Sequence, residues 1–241
     1  MKIGILETGI LNEKLCNRYD PYPVMFANLL NRAEPDLEYQ TYSVIRGEMP
    51  KSIHDCDGWL ITGSRHGAYE KLDWMLALED FIREIYSASV PLVGICFGHQ
   101  IIAQALGGEV VKSDMGWSIG VQSYEINKPQ DWMAEAPRQV NIYAFHQDQI
   151  TVLPPTASVF SSSKFCPYAG LSYGDSIISI QAHPEFEEQY ELALIDIYGG
   201  NIVPQAVASE AFDKIHRSGL KADTQILADW LATFFLNRAP G

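Results

Sequence analysis

Val90-Pro91-Leu92-Val93-Gly94-Ile95-Cys96-Phe97-Gly98-His99-Gln100 reads as a short buried strand, a very tight turn and the start of a helix. Leu92, Val93 and Ile95 make the apolar run. Ile101, Ile102, Ala103, Ala105 and Leu106 continue with helical spacing, and Gly107-Gly108 end the helix. Gly94 and Gly98 bracket Cys96 two residues away on either side. Gly-x-Cys-x-Gly has the form of a nucleophile elbow, whose sharp strand-to-helix turn brings its flanking residues against neighbouring backbone. Such a turn holds the thiol at a helix N-terminus, where partial positive charge favours thiolate. Taken alone, Cys96 fits a buried structural cysteine equally well.

Working outward, the N-terminal half alternates strands and helices. Lys2 to Glu7 reads as a first buried strand, Val24 to Asn31 as a helix and Leu37 to Val44 as a second strand. Asp57 to Ser64 is a third strand running into a glycine turn. Trp74 to Ser87 is an amphipathic helix, with Leu76, Leu78, Phe81, Ile82 and Ile85 near one face. This alternation predicts an α/β fold with a parallel sheet covered on both faces. After Gly108 the pattern changes to short strands separated by turns: Glu109–Val111, Ile119–Ile126, Asn141–Ala144, Ile150–Leu153, Ser158–Ser162, Ala169–Tyr173 and Ile177–Gln181. These predict an antiparallel meander on the edge of the parallel sheet. Phe186 to Tyr198, Gln205 to Arg217 and Ala222 to Asn237 then read as helices. The apolar positions Ile226, Leu227, Trp230, Leu231, Phe234 and Phe235 either cover this sheet or form an interface.

The composition narrows the function classes. The chain has 241 residues, 47% hydrophobic and 20% charged, enough for a sizeable core and too few charges for disorder. A net charge of −13 argues against nucleic acid or an anionic membrane as partner. There is no signal-peptide pattern at the N-terminus, and no apolar run approaches the roughly 18 residues of a membrane span. Cys16, Cys56, Cys96 and Cys166 show no Cys-x-x-Cys spacing, so neither a zinc site nor a disulfide framework is expected. A cytoplasmic protein with no metal and no cofactor is the expectation.

A thiol nucleophile needs a base, and the base needs an orienting group. Of the six histidines, His183 stands out, because Ser179-Ile180-Gln181-Ala182-His183-Pro184-Glu185 ends an apolar strand. In extended chain, residues two apart point to the same side, so Glu185 can hold one imidazole nitrogen while the other faces a thiol. Pro184 cannot donate to a sheet ladder, which sets the triplet at a strand end. In an α/β sheet, strand ends are where sites form. The acid follows the histidine by two residues, unlike the order in α/β-hydrolases. Acyl transfer also needs oxyanion donors. The backbone near Gly63 in Thr62-Gly63-Ser64 is one source, although an ordinary turn explains that tripeptide as well; the N–H of Phe97 is the other.

These three segments, Thr62-Gly63-Ser64, Gly94-Ile95-Cys96-Phe97-Gly98-His99-Gln100 and His183-Pro184-Glu185, together resemble the class I (triad-type) glutamine amidotransferases over roughly Lys2 to Tyr198. Arg65-His66-Gly67-Ala68-Tyr69, Gly116-Trp117-Ser118-Ile119-Gly120 and Phe145-His146-Gln147-Asp148-Gln149 are similar to the free-standing, GMP-synthase-like branch. The resemblance implies a flavodoxin-like fold: a mainly parallel central sheet flanked by helices, with an antiparallel extension and C-terminal helices. It implies an amidotransferase domain over residues 1–200, with 201–241 a helical extension of the same domain. Cys96 would attack the side-chain amide of glutamine, His183 would move the proton, Glu185 would orient His183, and Gly63 and Phe97 would form the oxyanion hole. Gln100, His146 and Gln147 would contact the substrate; structural roles for Gln100 and His146 remain open. Arg65-His66 stand where biosynthetic subunits more usually have proline, which leaves the acyl-group specificity open.

Residues 199–241 carry no phosphate-binding glycine loop for a fused synthase. The resemblance therefore implies a glutamine amidotransferase that releases ammonia for an acceptor the sequence does not name, a separate synthase subunit being one option. Its alternative is a γ-glutamyl peptidase or hydrolase acting alone on a small-molecule γ-glutamyl compound. A non-catalytic regulatory role is the third reading.

Overall fold

The computed structural model describes residues 1–217 and 219–238. In chain order the elements are β1 (Lys2–Leu6), α1 (Tyr22–Asn31), β2 (Glu38–Tyr42), β3 (Gly58–Ile61), α2 (Asp73–Ala88), β4 (Leu92–Ile95), α3 (Phe97–Ala105), β5 (Glu109–Lys112), β6 (Ser118–Ile126), β7 (Gln139–His146), β8 (Asp148–Val152), β9 (Ala157–Ser162), β10 (Gly170–Tyr173), β11 (Ile177–Ile180), α4 (Glu188–Tyr198), α5 (Gln205–Arg217) and α6 (Thr224–Leu236). Ser218 and residues 239–241, within the expected C-terminal extension, lie outside the described residues.

Among those residues nine strands form one mixed sheet in the order β2-β1-β3-β4-β11-β10-β9-β6-β7. β2, β1, β3, β4 and β11 pair in parallel. β10, β9, β6 and β7 continue the sheet antiparallel. The antiparallel part differs from the meander expected in two ways. The strand that joins it to the parallel half is the last one, β11, so the chain returns to the centre of the sheet. And β5 and β8 leave the sheet to pair with each other as a separate antiparallel ribbon.

Alternation along the buried strands feeds two cores. Ile3, Ile5, Leu60, Val93 and Ile95 face α1 and α6, where Phe26, Leu29, Leu30, Leu227, Leu231, Phe234 and Phe235 meet them. Leu6, Trp59, Ile61 and Leu92 face the opposite layer of α2 and α3, with Met75, Leu78, Phe81, Ile82, Ile85, Ile101 and Ile102. Each fully buried side chain of this size contributes roughly 1.5–3 kcal/mol. The apolar face of α6 therefore covers this sheet. A third cluster packs α4 and α5 against β6 and β7. On α2 the buried stripe is turned slightly from the one expected: Met75 is buried and Leu76 is 45% exposed. No helix among the described residues is long and apolar enough to cross a membrane.

The register explains why three distant segments meet. Ile61 of β3 lies beside Gly94 of β4, and Ile95 lies beside Ile180 of β11. All three strands are parallel, so Thr62-Gly63, Cys96 and Gln181-Ala182-His183 leave the sheet together at its C-terminal edge.

Candidate active site

Cys96 sits between β4 and α3 at φ 53° and ψ −101°, a backbone conformation that side-chain-bearing residues rarely adopt. Strain of this kind costs on the order of 1–3 kcal/mol and persists only where surrounding packing imposes it. The packing that imposes it is visible at the flanking glycines. A Cβ on Gly98 would fall 2.5 Å from the carbonyl oxygen of Ile61, and one on Gly94 would fall 2.4 Å from Ile102 Cδ1 and 2.6 Å from the Gly98 carbonyl oxygen. Glycine at both positions lets α3 press onto β3 and β4, and Cys96 absorbs the turn. Its N–H is bonded to the Ile180 carbonyl at 2.9 Å, which fixes the elbow to β11.

His183 lies three residues past β11. Its N–H donates to the Tyr143 carbonyl at 2.7 Å, a bridge to β7 that the sequence reading missed. His183 Nδ1 and Glu185 Oε1 are 2.8 Å apart, with both residues 5% exposed. The geometry is not the extended one expected. Residues 183–186 form a turn, with the Phe186 N–H to the His183 carbonyl at 3.4 Å, and Pro184 suits the second position of such a turn. The turn, rather than strand alternation, sets the carboxylate on the ring. Phe186 then stacks on the imidazole, with centroids 4.0 Å apart and planes within 5°. With Nδ1 taken by Glu185, Nε2 is left for the thiol. Burial opposes charge on His183, but the adjacent Cys96 sulfur and Glu185 carboxylate outweigh it and hold its pKa well above the usual imidazole value.

Gly63 closes the third side. A Cβ there would come within 3.0 Å of His183 Cε1 and 3.8 Å of Cys96 Cβ. The loop is held from beneath by Thr8, whose hydroxyl donates to the Thr62 carbonyl at 2.8 Å and lies 3.2 Å from the Gly63 carbonyl. Gly9 packs so closely that a Cβ would lie 2.4 Å from that same oxygen. Thr8-Gly9 directly follow the first strand read from the sequence, Lys2 to Glu7. Phe97 follows Cys96 at the first position of α3, its ring tilted against Trp74 at 5.5 Å.

The three residues expected to contact substrate are placed differently from one another. Gln100 is buried, and its Nε2 donates to the Asp148 carbonyl at 2.9 Å and to Gln181 Oε1 at 3.1 Å. His146 Nδ1 lies 3.2 Å from that same carbonyl, and burial pushes its pKa down to about 4. Both therefore brace the β7–β8 turn from inside. Gln147, at the tip of that turn, is half-buried, with its Nε2 3.4 Å from the Ser113 carbonyl. His99 bonds across to Ser179 Oγ of β11 at 2.7 Å. No group of three or more His, Cys, Asp or Glu among the described residues is placed to hold a metal ion.

Glu191, on the first turns of α4, was also missed. It is fully buried, and its Oε1 accepts the Gly120 N–H at 2.7 Å. Gly120 has φ +75° although the β6–β7 pairing continues through it, and the sequence had marked it only as part of a motif. The signal available was an acid at a helix position otherwise facing the core. Burial pushes the Glu191 pKa up to about 8, with the Gly120 bond and His183 pulling the other way. A carboxyl whose folded pKa is raised stabilises most below its unfolded value and loses that contribution as pH rises through the folded one. Glu191→Gln keeps an acceptor for Gly120 but does not titrate. Its melting temperature is expected to fall less than that of the native protein as pH rises from about 4.5 to about 8. Parallel melting curves across that range would show that Glu191 does not titrate there.

A buried, strained cysteine at a strand–helix elbow, beside a carboxylate-bonded histidine at the C-terminal edge of a parallel sheet, is the candidate site of this α/β fold. The family model for class-I glutamine amidotransferases matches residues 39–193, and the chain belongs to that family. It is 32% identical over 193 residues, 76% of each chain, to γ-glutamyl peptidase 4 of Arabidopsis thaliana. It is 28% identical over 171 residues, 70% of this chain and 88% of the other, to a glutamine-hydrolyzing GMP synthase subunit of Archaeoglobus fulgidus. A glutamine amidotransferase structure from Methylobacillus flagellatus superposes with a TM-score of 0.77 at 22% identity, covering 100% of this chain and 96% of that one. At that identity the likeness concerns the fold.

Proposed function

We propose that this protein hydrolyses γ-glutamyl amide bonds through a thioester on Cys96, acting on γ-glutamyl peptides or amines. The observation that carries the reading is the strained Cys96 elbow set against a histidine already paired with Glu185. That backbone adds strain rather than stability to Cys96, whereas it sets a nucleophile's sulfur against His183. The likeness to a γ-glutamyl peptidase over three quarters of both chains favours a peptide or amine over free glutamine.

The chemistry follows from the pairing. The Cys96 sulfur attacks the γ-carbonyl carbon while His183 Nε2 takes the thiol proton. Charge grows on the carbonyl oxygen, and in this reading the Gly63 loop and the Phe97 N–H supply the backbone donors for it. The C–N bond then breaks as His183 returns the proton to the leaving amine. Water, deprotonated by the same nitrogen, attacks the thioester, glutamate leaves, and the thiol is restored. Glu185 keeps Nδ1 protonated throughout and Nε2 available. In this reading Gln147, on the tip of the β7–β8 turn, meets the glutamyl moiety, while Gln100 and His146 support that turn.

The second reading is hydrolysis of glutamine to supply ammonia to a separate synthase chain, favoured by the likeness to the glutamine-hydrolyzing subunit of a GMP synthase. A hydrolysis panel on the isolated protein separates the two. Turnover of γ-glutamyl dipeptides and amines with little on glutamine is the expected result. Preference for glutamine, or turnover appearing only with a synthase partner, supports the second reading. No hydrolysis of any γ-glutamyl compound, with or without a partner, supports a non-catalytic role.

A further inference from the structure

The segment after the Gly63 loop spans the site from one wall to the other. It begins against Cys96 and His183 at Gly63 and ends with Tyr69, whose hydroxyl sits against the Asp148 carboxylate on the β7–β8 turn. It is braced along its length. The His66 N–H lies 3.3 Å from Ser64 Oγ, His66 Nδ1 is 2.8 Å from Glu70 Oε2, and the Gly67 N–H donates to Glu70 Oε1 at 2.7 Å. The His66 ring meets Trp74, which meets Phe97. This is a fixed rim, not a loose loop.

The charges on that rim are unequal in their commitments. Glu70 is used by His66 and the Gly67 N–H, and Asp148 faces Tyr69 and Lys112. Arg65 is exposed, and among the described residues neither a hydrogen bond nor an ion pair within 4.0 Å holds it; Glu70 reaches it only through weaker long-range attraction. On a chain of net charge −13, an uncommitted guanidinium carried by this braced segment, two residues after Gly63, is a local anion trap. Two residues of chain from Gly63 span about 7 Å. The carboxylate of an amino-acid leaving group lies only two bonds beyond the scissile nitrogen, within the sweep of an arginine from that position. The planar fork of arginine matches a carboxylate bidentately.

We infer that Arg65 selects γ-glutamyl substrates whose leaving amine is an amino acid, by binding its carboxylate at the rim. This rests on the γ-glutamyl hydrolase reading and names its substrate class. Glutamine and simple amines lack the group and lose the contact.

The test compares γ-glutamylglycine with its C-terminal amide, γ-glutamylglycinamide, on the full chain and on Arg65→Ala and Arg65→Glu. The native protein is expected to favour the free acid by about 5- to 20-fold in kcat/KM, mostly through KM, the size of a partly screened arginine–carboxylate contact. In Arg65→Ala the ratio falls to near one, and in Arg65→Glu it falls below one. The preference also shrinks as salt is raised toward ~1 M. Because each ratio is taken within one variant, loss of folded protein does not move it. Hydrolysis of both compounds without preference, or a ratio unchanged in Arg65→Ala, overturns the role of Arg65 and leaves the hydrolase reading standing. Failure of the native protein to hydrolyse either compound overturns both.

Discussion

Cys96→Ala is expected to lose γ-glutamyl hydrolysis by about 10⁴-fold or more in kcat, the scale on which removal of a covalent nucleophile is felt. A glutamine-like electrophile that labels the native protein at Cys96 is expected to leave the variant unlabelled. Labelling at Cys16, Cys56 or Cys166 instead would falsify the assignment. A companion variant separates chemistry from strain. Cys96→Gly is equally inactive, but glycine adopts φ 53° without the clash that alanine keeps. Cys96→Gly is therefore expected to be more stable than Cys96→Ala by about 1 kcal/mol, which raises the melting temperature by about 3 °C in a chain of this length. Equal stability of the two would mean that the elbow carries no strain. A glycine variant that is steadier and inactive would show that this backbone serves the thiol and not the fold.

Glu185→Gln has the next largest expected effect. The native carboxylate only accepts, so it holds the proton on His183 Nδ1 and leaves Nε2 for Cys96. A carboxamide can turn its NH2 toward Nδ1, which moves the ring proton to Nε2 and removes the base. We expect kcat to fall by about 10²- to 10⁴-fold while KM stays within about threefold, because the pocket is untouched. The variant also removes one of the two neighbours that raise His183. A histidine raised in the folded state contributes stability in full below its unfolded pKa and loses it as pH rises through the folded one. In Glu185→Gln that loss starts at the same pH, set by the unfolded chain, but is expected to be complete at a lower pH than in the native protein, so less is lost in all. Unchanged turnover together with an unchanged pH profile of stability would remove Glu185 from the site.

The helices and strands were largely legible because each is announced by local periodicity and by glycine or proline at its ends. The elbow was legible for the same reason, since its steric demand falls on residues two positions from Cys96. The phase of α2 was misjudged at Leu76 because a stripe's edge depends on what packs against it; the deeper position went to Met75. His183 and Glu185 were paired correctly for the wrong local reason. Strand alternation was the argument, and a turn through Pro184 is what sets the contact.

The sequence by itself determined which groups exist to be brought together: a thiol between two glycines, an imidazole with a carboxyl two residues away, and a glycine loop upstream. Those are short-range facts, carried by neighbours along the chain. Only the tertiary structure decided that β11 lies between β4 and β10, and so that His183 leaves the sheet beside Cys96. It alone set Tyr143 on the His183 amide, Thr8 beneath Gly63, Phe186 on the imidazole, Glu191 on the Gly120 amide and Arg65 on an open rim. Three of these contacts join residues 40 or more positions apart, and strand order and the closing of long loops, not local propensity, bring such partners together. The Phe186 stack is local in sequence but waits on the turn at Pro184, and the freedom of Arg65 depends on where every other charge finds its partner.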